Sequence, residues 1–290
     1  MSRLLVIGTG LVGGSFALAM RQVGRFAHID GYDSDTASAN AALQRGQIDA
    51  VAPDLEAAVA TADAVLVAVP TNAIAALVRR IAMTRRGNSP TVMDVGSVKG
   101  SVLAALRSSG AMPATFVPGH PMAGSEQRGS AAADAGLFRD RPVILTPQPE
   151  TDPAALERAR EWWTATGARV VETNAPIHDE MVALTSHLPH LVAYAFMNWV
   201  EQPHGGAAAD FAGPGLHDFT RIAASDPAMW RLILSENRAA VLAQYDGWSA
   251  SMTRFVDLLR NGHDDELEVL IESAQAARLR MVERGEANDG

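Results

Sequence analysis

The feature that most constrains this chain is a glycine-rich turn near its start. The apolar run Arg3–Gly8 predicts a buried parallel β-strand, and the sequence Gly8-Thr-Gly-Leu-Val-Gly13 then opens a helix. Gly8 permits a tight turn, Gly10 lets the backbone approach a pyrophosphate, and Gly13 lets the helix pack closely on the strand. The helix N-terminus offers its free N–H groups to the phosphates. The turn therefore predicts a Rossmann-type dinucleotide-binding unit.

Short apolar segments alternate with helical segments up to about residue 174. The further predicted strands are His28–Asp33, Ala64–Pro70, Thr91–Val95, Ala114–Val117, Pro142–Thr146 and Arg169–Val171, the last closing the sheet. Long helices follow, over about residues 174–200, 211–223, 228–260 and 264–284. We predict an α/β fold in which a doubly wound Rossmann-like domain, residues 1–174, precedes an all-helical domain, residues 175–290, that forms a homodimer.

Composition excludes several classes of function. The 290 residues include no cysteine, which excludes disulfides and cysteine metal sites and fits a cytoplasmic protein. The net charge of -9 argues against a nucleic-acid partner or an anionic membrane surface. No apolar run reaches the roughly 18–20 residues of a membrane span, and no signal-peptide pattern is present.

An acid at the end of the second strand predicts the cofactor. Asp33 follows Gly13 at about twenty residues, the distance at which a carboxylate meets the adenosine ribose and favours NAD over NADP. The alternatives are that Asp33 caps the next helix, or that Asp35 is the ribose ligand. Further cofactor contacts are expected beside the glycine turn, at Leu11 and Val12, and at the end of the predicted strand Ala64–Pro70, at Val69, Pro70 and Thr71.

A histidine in an irregular loop is the predicted proton acceptor. His120 lies between Gly119 and Pro121, and histidine titrates near neutral pH. Ser97 and Lys99, the only lysine of the chain, follow another strand, where open α/β sheets bind ligands. The simpler alternatives are a Gly/Pro turn that contains a histidine, a helix cap at Ser97 and a solvated lysine.

The helical part contains three polar features. His187 and His190 lie three residues apart, with Asp179 two turns earlier. They are either packed histidines, a polar part of a site or, without a nearby third ligand, a poor metal site. Arg221 lies in a mostly apolar segment, where it binds either a substrate carboxylate or an internal acid such as Asp218 or Asp226.

Taken together, the motifs resemble one family, the prephenate/arogenate dehydrogenases of tyrosine biosynthesis. They are GxGLxGGS at Gly8–Ser15, Asp33, DxGSVK at Asp94–Lys99, HPMAGSE at His120–Glu126, SHLPH at Ser186–His190 and FTRIA at Phe219–Ala223. The resemblance runs from residue 1 to about residue 285. It implies that NAD⁺ takes a hydride from the ring carbon of prephenate that bears the hydroxyl, and that loss of CO₂ gives 4-hydroxyphenylpyruvate.

The resemblance also implies roles for the singled-out residues. Neutral His120 accepts the hydroxyl proton, and Ser97 orients the imidazole or bridges to the nicotinamide. Arg221 binds a substrate carboxylate with His190 as a second donor. The remaining substrate-site residues are a polar rim or gating ion pair of His187, Asp179 and Glu126, with Ser125 beside it, and Lys99 as positive charge at the mouth. No metal is expected.

Other functions stay open from sequence. The substrate could be arogenate, both compounds (a cyclohexadienyl dehydrogenase) or 4-amino-4-deoxyprephenate, and an acid such as Glu126 or Asp179 near the side chain would favour an ammonium group. A β-hydroxyacid dehydrogenase usually relies on a lysine in its helical domain, and none follows Lys99. A non-catalytic NAD-sensing dimer would not need His120, Ser97 and Arg221 together.

Overall fold

The chain forms two compact units. The computed structural model describes residues 2–84, 89–110, 112–124 and 129–289, and its units are residues 1–238 and 239–290. The first unit contains every strand and the first ten α-helices of this part of the chain, whereas the second is built from two long helices. The boundary predicted at residues 174 and 175 stays a prediction.

Six parallel strands form the main sheet of the first unit. They are β1 (Arg3–Ile7), β2 (His28–Tyr32), β3 (Ala50–Val51), β4 (Ala64–Val67), β5 (Thr91–Asp94) and β6 (Phe116–Val117), in the order β3-β2-β1-β4-β5-β6. The order reverses between β1 and β4. Sheets of this kind bind ligands in the crevice at the carboxyl ends of the strands where the order reverses.

Helices cover both faces of the sheet, as predicted. They are α1 (Leu11–Gln22), α2 (Thr36–Gln44), α3 (Leu55–Thr61), α4 (Thr71–Thr84), α5 (Gly100–Ser108) and α6 (Pro153–Ala165). Along β1, Leu4 and Val6 join the core formed with α1 and α6, and Leu5 and Ile7 join the core formed with α3, α4 and α5. Because side chains alternate along a strand, β1 is apolar throughout and buried on both faces.

The last strands do not close the main sheet, which corrects our expectation. β7 (Gly119–Pro121), β8 (Pro142–Leu145) and β9 (Arg169–Glu172) form a separate sheet, with β7 antiparallel to β8 and β8 parallel to β9. The physical reason is Pro118, which has no N–H with which to continue the β6 ladder. The chain leaves the main sheet there, and the Pro118 carbonyl accepts from the N–H of Thr146 at 2.9 Å.

The remainder of the described chain is helical, as predicted. The helices are α7 (Ala175–Val182), α8 (Leu188–His204), α9 (Pro214–Thr220), α10 (Pro227–Glu236), α11 (Arg238–Asn261) and α12 (Asp264–Asp289). Within the described residues, none of the helices is both long enough and apolar enough to cross a membrane.

A π-helical turn, Ala183–His187, separates α7 from α8. Its cause is Pro189, which lacks an N–H and whose ring crowds the carbonyl group four residues earlier, so that the backbone widens by one residue. The turn changes the direction in which His187 leaves the helix relative to a regular α-helix.

The glycine turn generates a test of helix–strand packing. A Cβ at Gly13 would lie 2.0 Å from the carbonyl oxygen of Gly8 and 2.9 Å from Val6 Cγ1, whereas a Cβ at Gly10 would meet nothing within 4 Å. We expect Gly13→Ala to lower the free energy of unfolding by about 3 kcal/mol, because backbone must move. Gly10→Ala is the control and should cost less than about 1 kcal/mol. Urea denaturation measures both, and equal losses would contradict the packing role.

Candidate active site

A cavity of about 1000 Å³ lies at the carboxyl ends of β1, β4 and β5. On the sheet side its wall is formed by the turns that follow these strands and by β7. On the opposite side it is formed by the π-helical turn, the start of α8 and α10. The predicted residues in this wall are Gly10, Leu11, Val12, Val69, Pro70, Thr71, Ser97, His120, His187, His190 and Arg221. One cavity thus contains both the nucleotide motif and the candidate proton acceptor.

The glycine turn fits a dinucleotide. Gly8 has a φ of 91°, and a Cβ there would lie 2.1 Å from the Ala68 carbonyl oxygen, so only glycine is tolerated. Gly10 is the N-cap of α1, has no side-chain cap and has open space where a Cβ would project. Phosphates can therefore approach the free N–H groups at the start of α1.

Asp33 lies against this turn. Its Oδ2 accepts from the backbone N–H of Thr9 at 2.8 Å and from Thr9 Oγ1 at 3.0 Å. Asp35, not Asp33, caps α2 by accepting from the N–H of Ala37. The alternative of Asp33 as a helix cap is therefore wrong, and Asp35 is occupied by capping.

Lys99 is in the interior, which corrects the prediction that it lies at the mouth. Its side chain is fully buried, and Nζ donates to Asp94 Oδ2 at 2.5 Å and to the Gly119 carbonyl oxygen at 2.6 Å. Asp94 also accepts from the N–H groups of Gly96 and Gly119. The pair therefore fixes the peptide that precedes His120.

Two further side chains form a hydrogen-bonded chain with His120. His120 Nδ1 lies 2.9 Å from His178 Nε2, and His178 Nδ1 lies 2.7 Å from Asp179 Oδ1. The Asp179 carboxylate also accepts from the backbone N–H groups of Lys99 and Gly100, at the start of α5. Asp179 is thus engaged behind His120 and is not in the cavity wall, so the rim or gating position predicted for it is wrong.

Burial keeps His120 and His187 neutral. Burial lowers the pKa of His120 well below 6.5, and the nearby His178, Lys99 and His187 add to the effect. Burial also lowers the pKa of His187, to about 4. For Asp179, burial raises the pKa, but the hydrogen bonds from His178 and from two backbone N–H groups outweigh it and leave the pKa lowered. A neutral imidazole can accept a proton at neutral pH.

His187 and His190 differ in which ring nitrogen carries the proton. Asn237 Nδ2 donates to His187 Nδ1 at 3.1 Å, which leaves the proton of neutral His187 on Nε2. His190 Nδ1 donates to the Ser186 carbonyl oxygen at 2.8 Å, which leaves a lone pair on Nε2. In the neutral state His187 is therefore the donor of the two, whereas sequence reasoning had chosen His190.

Aromatic and cationic groups surround His190. Its ring stacks on Trp230 with centroids 3.5 Å apart and an interplanar angle of 19°. Burial and the charge of Arg221 lower its pKa. Arg221 begins a 3₁₀ turn, Arg221–Ala224, in the same cavity wall. This end of the cavity combines a cation with a flat apolar surface, which suits an anionic cyclic ligand.

The remaining predicted site residues differ in where they lie. In the described part of the chain no three His, Asp or Glu side chains are grouped to hold a metal ion. Ser97 lies in the cavity wall, and the N-cap position of α5 is Lys99, so the capping alternative for Ser97 is wrong. Ser125 and Glu126 lie outside the described residues.

Sequence reasoning missed His178, Trp230 and Asn237. The His178-Asp179 dipeptide was the available signal, because a carboxylate that accepts from one ring nitrogen of a histidine sets which nitrogen carries the proton. For Trp230 and Asn237 no local pattern distinguished them from other helical residues.

Two family models match the chain. The family model described as prephenate dehydrogenase, nucleotide-binding domain, matches residues 16–172. The one described as prephenate dehydrogenase, dimerization domain, matches residues 174–273. The chain belongs to the prephenate dehydrogenase family. It is an NAD-dependent dehydrogenase, as its motifs had indicated.

Curated relatives within the prephenate dehydrogenase family span most of the chain. A cyclohexadienyl dehydrogenase of Zymomonas mobilis is 33% identical over 282 residues, which are 96% of this chain and 95% of that protein. A prephenate dehydrogenase of Bacillus subtilis is 35% identical over 268 residues, 91% of this chain and 70% of that protein.

Solved structures of the prephenate dehydrogenase family have the same fold. The Aquifex aeolicus prephenate dehydrogenase in complex with hydroxyphenyl propionate and NAD⁺ has a TM-score of 0.89 and 31% identity, covering 97% of this chain and 98% of that one. The Synechocystis arogenate dehydrogenase has a TM-score of 0.82 and 25% identity, covering 96% and 99%.

The buried Lys99 generates a stability prediction. Lys99→Met leaves the Asp94 carboxylate buried without its cation, and we expect a loss of about 3–5 kcal/mol in the free energy of unfolding. The double variant Asp94→Asn/Lys99→Met should recover part of it, because no uncompensated charge remains. Chemical denaturation measures both. Substitution of a lysine at the cavity mouth would lower the free energy of unfolding by less than about 0.5 kcal/mol. A loss that small for Lys99→Met would contradict the interior position of Lys99.

Proposed function

We propose that this chain catalyses the NAD⁺-dependent oxidative decarboxylation of prephenate to 4-hydroxyphenylpyruvate. The observation that carries the proposal is His120, a buried neutral histidine whose Nδ1 faces His178 and which shares one cavity with the nucleotide turn. Its Nε2 is then the nitrogen available to a substrate hydroxyl.

In the proposed reaction the substrate loses a hydride, the hydroxyl proton and CO₂. When bound, NAD⁺ accepts the hydride from the ring carbon that bears the hydroxyl. His120 Nε2 accepts the hydroxyl proton, so that the oxygen keeps its electrons as the carbon is oxidised. The ring carboxylate leaves as CO₂, and the electrons of the broken bond make the ring aromatic. The phenolate oxygen then takes the proton back from His120.

The cavity wall supplies the binding groups in this proposal. Ser97 orients the reacting centre beside His120. Arg221 binds the pyruvyl carboxylate, because tight binding of the ring carboxylate would oppose its loss. His187 donates from Nε2 to a substrate oxygen, and the stacked pair of His190 and Trp230 forms the flat end of the pocket.

The choice between prephenate and arogenate rests on the side-chain end. Arogenate has an ammonium group where prephenate has a keto group, and a free acid would favour it. Of the two acids considered, Asp179 is engaged by His178 and by two backbone N–H groups. This supports prephenate as the substrate, with the Zymomonas mobilis cyclohexadienyl dehydrogenase as the reason to test both compounds.

The preference for NAD over NADP is proposed from Asp33. Its carboxylate lies within hydrogen-bond distance of the first turn, at Thr9. A carboxylate at this place accepts from ribose hydroxyls and repels a 2′-phosphate.

A homodimer is part of the proposal. Residues 174–273 match the family's dimerization domain. Along α11, four large apolar side chains are exposed at spacings of three or four residues, namely Leu242, Tyr245, Trp248 and Met252. Such a stripe suits a helical partner, here a second copy.

The experiment that tests the function is NADH formation at 340 nm with purified protein, NAD⁺ and either prephenate or arogenate. We expect turnover with prephenate. Turnover with both would mean that the side-chain pocket also accepts an ammonium group. No turnover with either compound would contradict the proposed reaction.

His120→Asn is expected to lower kcat by about 10²–10⁴-fold, because the proton acceptor is lost. Affinity for NAD⁺, followed by quenching of tryptophan fluorescence, should stay unchanged. The matched control is His263→Asn, a substitution of a half-exposed histidine between α11 and α12 that should leave kcat unaltered. An unchanged kcat for His120→Asn would overturn the assignment.

Arg221→Ala should act mainly on KM for prephenate, raising it by about tenfold or more, since a charge-assisted hydrogen bond to a carboxylate contributes roughly 1.5–3 kcal/mol. Steady-state kinetics separate this from a change in kcat. If KM stays at the wild-type value, Arg221 does not bind the substrate carboxylate.

A further inference from the structure

Behind His120 lie two side chains that no step of the proposed reaction uses. The side chain of His178 is fully buried, and Asp179 is the next residue along α7. The hydrogen-bonded chain runs from His120 Nδ1 to His178 Nε2 at 2.9 Å and from His178 Nδ1 to Asp179 Oδ1 at 2.7 Å.

We propose that His178 and Asp179 are positioning residues that fix His120 in the tautomer with its proton on Nδ1 and its lone pair on Nε2. The inference rests on the proposed function of His120 as the proton acceptor. It explains how the protein selects the ring nitrogen of His120 that accepts the proton. Neither positioning residue lies in the cavity wall.

The direction of the hydrogen bonds starts at Asp179. Backbone N–H groups can only donate, and those of Lys99 and Gly100 donate to the two oxygens of Asp179 at 2.9 and 2.7 Å. An ionised carboxylate only accepts, so His178 Nδ1 must donate to it. In neutral His178, Nε2 is then an acceptor, and His120 Nδ1 must donate to it.

The reverse tautomer of His120 would be unfavourable here. It would leave the lone pair of His120 Nδ1 facing the lone pair of His178 Nε2 across 2.9 Å in a buried environment. The free-energy cost of an unmade buried hydrogen bond corresponds to a tautomer ratio of about five to more than a hundred in favour of the proton on Nδ1.

Asp179 and His120, the two ends of the hydrogen-bonded series, are both held by the segment that joins β5 to α5. Asp179 caps the start of α5 through Lys99 and Gly100. The peptide before His120 is fixed by Asp94, which accepts from the Gly119 N–H, and by Lys99 Nζ, which donates to the Gly119 carbonyl oxygen. The β5–α5 segment therefore sets the distance across which the two imidazoles meet.

The test compares a polar and an apolar substitution of His178. His178→Gln keeps an acceptor, the amide oxygen, where Nε2 was, and His178→Leu removes it. We expect His178→Leu to lower kcat by about tenfold or more with little change in the KM for NAD⁺, and His178→Gln to recover most of the loss. If both variants lose kcat equally, or if His178→Leu keeps the wild-type kcat, the inference is overturned.

A direct readout is the tautomer itself. Long-range ¹H–¹⁵N correlation spectra of ¹⁵N-histidine-labelled protein at neutral pH distinguish a protonated from an unprotonated ring nitrogen, and the His120 signals are assigned by their loss in His120→Asn. We expect the proton on Nδ1 in the wild type and in His178→Gln, and a mixture of tautomers in His178→Leu. A wild-type proton on Nε2, which a cationic His178 would produce, would overturn the inference.

The spectra also separate two kinds of failure. If the wild type turns over neither prephenate nor arogenate, the proposed function fails, yet the tautomer of His120 is still measured. If the wild type is active but His120 shows no tautomer preference, the inference alone fails. Thermal unfolding of each variant shows whether His178→Leu folds, and His178→Gln and the wild-type spectrum carry the test if it does not.

Discussion

The buried ion pair of Lys99 and Asp94 is the interaction on which the site depends. It joins the end of β5, the start of α5 and the peptide before His120, because each charged group also binds backbone N–H or carbonyl groups. Burying two charges is costly, and only such additional hydrogen bonds offset the cost. The enclosed site suits the compact ammonium of a lysine better than a planar guanidinium, which explains the single lysine of an otherwise arginine-using chain.

A second set of polar contacts connects the helical segment to the same place. Asp179 of α7 caps α5, and His178 meets His120. Asn237, just after α10, donates to the carbonyl oxygen of Asp179 and to His187. Unmade buried hydrogen bonds are expensive, so these contacts define one arrangement of the helices rather than several. The neutral histidines of the cavity are a consequence of the same burial.

Much of the fold followed from local rules. Five of the six strands of the main sheet, the glycine turn and the helical region beyond residue 174 were predicted, because hydrophobic period and turn residues act within a few positions. The two-residue strand β3 was missed, because it is too short to show a period. The prediction that the strands after Pro118 close the main sheet was wrong. Whether they join the main sheet or form a second one depends on which strand edge is open to pairing, and local sequence does not reveal that. Among the site residues, Gly10, Ser97, His120 and Arg221 were singled out and lie in one cavity wall.

The sequence by itself determined the Rossmann pattern, the preference for a dinucleotide and the presence of one candidate proton acceptor. Only the tertiary structure decided that Lys99 is buried, that Asp179 lies behind the site, and that His178 is the partner of His120. The reason is sequence separation: His120 and His178 are 58 residues apart, and Lys99 and Asp179 are 80 apart. Residue types reveal which side chains can ionise, but the packing of distant elements selects the hydrogen-bond partners that set their protonation.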